Sequence, residues 1–62
     1  MSNIEMQIET ILSSSKLGRY EIVKLALEWI LVNQIKEEYK KVNHYKLINM
    51  ALEDIIVKYV KN

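Results

Sequence analysis

The stretch Arg19-Tyr20-Glu21-Ile22-Val23-Lys24-Leu25-Ala26-Leu27-Glu28-Trp29-Ile30-Leu31-Val32 decides how this chain folds. It holds no Gly or Pro, and after Arg19 its charges Glu21, Lys24 and Glu28 recur three and four positions apart. That spacing sets them along one narrow line of a helix. Every other residue from Ile22 to Val32 is apolar. An ordinary surface helix carries one apolar stripe, whereas a helix apolar almost all round is buried almost all round. The rest of a 62-residue chain is too short to cover it. The sequence therefore predicts that something beyond the chain's own helices does.

Outward from this stretch, the helical pattern runs from Tyr20 through Ile35 into Lys36-Glu37-Glu38-Tyr39-Lys40-Lys41, and the helix is expected to fray between Glu37 and Lys41. Glu37 and Lys41 are a favourable i,i+4 pair, while Lys36 and Lys40 repel. On the N-terminal side, Ser2-Asn3-Ile4-Glu5 reads as a capping box. Ile4, Ile8, Ile11 and Leu12 then recur at helical spacing, giving a first helix from about Asn3 to Leu12. Ser13-Ser14-Ser15 ends it through side-chain bonds that compete with the helix, and Gly18 supplies a freely turning backbone in the connection. On the C-terminal side, Val42-Asn43-His44-Tyr45 reads as a loop. Leu47, Ile48, Ala51, Leu52, Ile55, Ile56 and Tyr59 follow the i, i+3, i+4, i+7 pattern of a third helix, with Lys58 and Lys61 suiting its negative end. The fold class is all-α, three helices with short connections in one domain spanning residues 1–62, and no strand.

Composition narrows the function classes. Nine basic and eight acidic side chains nearly cancel, so no long-range field steers the chain to nucleic acid or a membrane. Without cysteine there is no disulfide framework and no thiolate zinc site. The longest apolar run, Trp29 to Val32, is far short of the roughly 18 residues of a membrane span. The N-terminus has neither the basic nor the apolar region of a signal peptide, which makes the cytoplasm the expected location. Scaffolds this small need a disulfide, a metal or a partner for firm stability. A partner is the expected support, and the isolated chain is expected to be weakly stable or to self-associate.

No catalytic constellation is legible. His44 is the only histidine and has no evident partner. Neighbouring carboxylates at Glu37-Glu38 and Glu53-Asp54 point about 100° apart on a helix and do not converge on a metal or a proton. A single glycine excludes phosphate-cradling loops. Neither a cofactor nor a metal is expected. Lys40-Lys41, His44-Tyr45-Lys46 and Lys58-Tyr59-Val60-Lys61 interleave basic and aromatic residues as nucleic-acid platforms do, but acidic residues interrupt them, and snorkelling surface lysines account for the pattern. Direct specific nucleic-acid contact is not expected. Trp29 is the sharpest residue, being of the type most enriched at interface hot spots. Ile22, Ala26 and Trp29 share a helix face, and Trp29→Ala is expected to weaken assembly while leaving the helicity of the free chain little changed.

Two segments carry a family resemblance. Arg19-Tyr20-Glu21-Ile22-Val23 resembles the Ser-Arg-Tyr-Glu-Leu-Val signature of the omega subunit of bacterial DNA-directed RNA polymerase. Ala51-Leu52-Glu53-Asp54-Ile55 resembles that family's Ala-Leu-Glu-Glu-Ile, in the same order along the chain. The resemblance implies a small, non-catalytic helical subunit that packs on the largest polymerase subunit, beta-prime, and promotes its folding and assembly. The implied packing residues are Tyr20, Ile22, Val23, Ala26 and Trp29 on the second helix and Ala51, Leu52 and Ile55 on the third. Arg19, Glu21 and Glu53 are implied polar contacts. The chain departs from the family at Gly18, where Ser or Asn is usual, and at Trp29-Ile30-Leu31-Val32, which replaces an Arg-rich stretch. Val57-Lys58-Tyr59 continues the last helix where the family often turns. Met1-Ser2-Asn3 has no basic residue, so the nucleotide-alarmone site of some members is not carried over. The competing classes are a small self-associating DNA-binding helical regulator and a protein-binding adaptor.

Overall fold

The computed structural model describes residues 3–60. Three α-helices follow one another, α1 (Asn3–Ser14), α2 (Arg19–Asn33) and α3 (His44–Tyr59), with a 3-10 turn at Glu37–Tyr39 between the last two. No strand occurs among the described residues, as the periodicities predict. Ser2, the first member of the expected capping box, and Lys61 lie outside them.

The expected serine stop ends α1. Ser15 Oγ donates to the Ile11 carbonyl at 2.6 Å and accepts from the Leu17 amide at 3.1 Å, so one hydroxyl satisfies groups the helix end leaves free. The stop falls two residues later than Leu12 predicts. Gly18 precedes α2 with φ −91° and ψ 174°, an extended backbone open to any residue. The turning freedom expected of this glycine is therefore not used. Its amide donates to Glu21 Oε1 at 2.9 Å, closing half of a capping box across the first turn of α2.

α2 ends at Asn33, short of the predicted Ile35 and well short of Lys41. Asn33 Nδ2 donates to the Trp29 carbonyl at 2.8 Å, a side-chain bond that competes with the ladder. Lys36 is extended, and the 3-10 turn folds Tyr39 back so that its ring meets the Trp29 indole edge-on, with centroids 5.7 Å apart. A helix running from Arg19 to Lys41 would be about 34 Å long, more than the 33 Å longest extent of the whole molecule. Stopping at Asn33 lets the chain reverse in time for α3 to pack back. That helix begins at His44 inside the predicted loop, because Asn43 caps it by accepting the Lys46 amide at 2.8 Å.

The core is Ile11, Ile22, Leu47, Ala51, Leu52 and Ile55, all buried. α3 supplies four of these six, and both other helices pack chiefly on it. Ile4, Ile8, Leu12, Leu25, Ala26, Ile48 and Ile56 close around the centre. α3 and not α2 is therefore the organising helix. Ion pairs sit at the surface: Arg19–Glu9 at 3.7 Å between α1 and α2, Lys40–Glu37 at 3.0 Å and Lys58–Asp54 at 3.1 Å. Each contributes little in that setting.

Candidate interaction face

α2 buries one residue, Ile22. The helix seats its Ile22, Leu25, Ala26 and Trp29 side toward the rest of the chain and leaves the opposite side open. Tyr20 is 77%, Val23 55%, Leu27 53% and Leu31 61% exposed. At about 100° per residue these four fall within roughly 80° of one another, a continuous apolar stripe along the outside of the helix. Along its edge facing α1 the stripe runs into an apolar groove of about 170 Å³, lined by Ile4, Ile8, Val23, Leu27, Ile30 and Ile48. Along the other edge stand Lys24, Glu28 and Glu21, the charge line legible in the sequence. Scattered exposed apolar residues are normal, and a contiguous stripe marks an interaction surface. The chain exposes 4812 Å², about 600 Å² more than the roughly 4,200 Å² of a typical monomer of its mass, 7.4 kDa.

The packing residues expected at a partner interface separate into three groups. Ile22, Ala51, Leu52 and Ile55 are buried in the chain's own core and present no surface to a partner, which corrects their expected role. The reason is that α3 lies over the inner side of α2 and consumes both apolar faces. Ala26 and Trp29 are half-buried. Trp29 packs on Tyr39, and its carbonyl holds Asn33, so much of its contact is made inside the chain. Tyr20 and Val23 are exposed on the stripe. Of the polar residues, Arg19 reaches Glu9 and Glu21 caps its own helix, while Glu53 is exposed on α3. Leu27 and Leu31, not among the expected interface residues, complete the exposed stripe. Their spacing from Tyr20 and Val23 was readable, but which side of an all-round apolar helix faces outward was not.

Among the described residues no three His, Cys, Asp or Glu side chains gather as a metal site would require, and no helix is long and apolar enough to cross a membrane. His44 stands exposed in the first turn of α3. What the arrangement can do is bind apolar surface. It belongs to the class of small helical proteins with an uncovered face. No family model, curated protein or solved structure matches the chain.

Proposed function

We propose that the chain is a non-catalytic protein-binding subunit, similar to the omega subunit of RNA polymerase, that docks the outer face of α2 on the largest polymerase subunit and promotes its folding and assembly in the cytoplasm. The observation that carries this is the open stripe Tyr20-Val23-Leu27-Leu31. It begins inside the very segment, Arg19 to Val23, that resembles the omega signature. The second resembling segment, Ala51 to Ile55, acts indirectly: Ala51, Leu52 and Ile55 hold the core on which α2 rests. A small chain with an apolar face gains stability by covering it with a partner. Contact with DNA plays no part in this role.

The test is purification of a tagged chain from its own cell, followed by reconstitution of polymerase with and without it. Co-purification of the polymerase core, with loss of incorporation in Leu27→Asp and retention of the variant's helicity, is the expected outcome. Recovery of DNA fragments, or of one small unrelated protein, would favour the regulator or the adaptor instead.

A further inference from the structure

We infer that the outer face of α2 also recognises itself, a second copy of this chain laying its α2 antiparallel on the first across a two-fold axis beside Leu27. A two-fold interface needs one patch complementary to itself, and the stripe with its charged edge meets that condition in one direction only. Lys24 and Glu28 lie on the same edge, both exposed. Among the described residues neither takes part in an ion pair. With the helices antiparallel, Lys24 comes opposite Glu28 of the second copy and Glu28 opposite its Lys24, so two ion pairs close along the seam while Leu27 and its counterpart meet near the axis. With the helices parallel, the same edge meets the flank of Ala26 and Ile30, which carries no countercharge.

The pair is weak and exchangeable, because its seam rests on one helix face and two exposed ion pairs, each worth a few tenths to one kcal/mol. Self-pairing and docking on a larger partner would use the same stripe and so exclude each other. Self-pairing does not depend on who that larger partner is.

The test is sedimentation equilibrium of the purified full chain over a wide concentration range, with Lys24→Glu, Glu28→Lys and the double exchange, circular dichroism confirming that each variant keeps its helicity. Each single exchange turns two attractions into two repulsions and is expected to weaken dimerisation about tenfold or more, since exposed pairs are each worth a few tenths to one kcal/mol. Mixing the two single variants restores both pairs, as does the double exchange, and association should return to near the parent's. A parent chain that stays monomeric at all concentrations overturns the inference, and so do single variants that pair as the parent does or a mixture that fails to recover. Polymerase incorporation of the same variants is scored separately, so that either reading can fail while the other stands.

Discussion

α2 and α3 are nearly equal in length and both rich in apolar residues, yet α3 buries four of them and α2 one. The difference lies in arrangement. α3 concentrates Leu47, Ala51, Leu52 and Ile55 on one side and can satisfy that side completely inside the chain. α2 spreads Ile22, Val23, Leu25, Leu27, Ile30, Leu31 and Val32 around its circumference, and two neighbouring helices can cover only part of it. One helix stabilises the fold, and the other leaves apolar surface exposed. Total hydrophobicity thus says how much a helix can bury, and periodicity says how much of that its own chain can take up.

The largest effects should separate these two roles. Leu52→Ala removes a fully buried side chain and is expected to cost about 2–5 kcal/mol. That matches or exceeds the few kcal/mol such a small chain has, so the urea transition should vanish or shift to near zero denaturant. Leu27→Ala, with about half its side chain in water already, should cost about 1 kcal/mol or less at concentrations where the chain is monomeric. Equal losses at the two leucines would break the comparison between the helices.

Trp29 stands between the two regimes. Trp29→Ala is expected to cost about 2 kcal/mol, with part of it, roughly 0.5–1.5 kcal/mol, coming from the edge contact with Tyr39. Amide exchange should accelerate first at residues 34–42, ahead of α1 and α3. Uniform acceleration across all three helices would instead make Trp29 a member of the common core.

The helix ends give smaller effects. Asn43→Ala removes the cap of α3 and should cost about 1 kcal/mol, whereas Asn43→Gly should cost only a few tenths. Because α1 and α2 both pack chiefly on α3, this loss should appear in the global transition. Gly18→Ser should stabilise by a few tenths of a kcal/mol, raising the melting temperature by about 2 °C. The extended backbone accepts a side chain there, and an added Cβ would have as its nearest neighbour Glu21 Oε1 at 3.6 Å, an ordinary contact. A fall in stability would mean that the backbone at Gly18 needs a freedom its φ does not reveal.

The sequence by itself determined the three helices and the apolar side of the third. Ile11 and the α3 set Leu47, Ala51, Leu52 and Ile55 were readable because a 3.6-residue period encodes one-sided burial directly. The excess of apolar surface on α2 was readable for the same reason, since no arrangement of a chain this short hides a helix apolar on every side. The tertiary structure decided which side of α2 stays open. That choice depends on where α3 returns, and α3 returns where it does because α2 stops at Asn33 and Tyr39 folds back onto Trp29. The local pattern alone does not announce the stop, because apolar periodicity continues to Ile35 and the Asn33 side-chain bond to Trp29 is decisive only once Tyr39 folds back. The gain from closing the chain on itself comes only when all three helices are present together. For the same reason Ile22 and Ala51, both expected at a partner, became core, while Leu27 and Leu31 became surface.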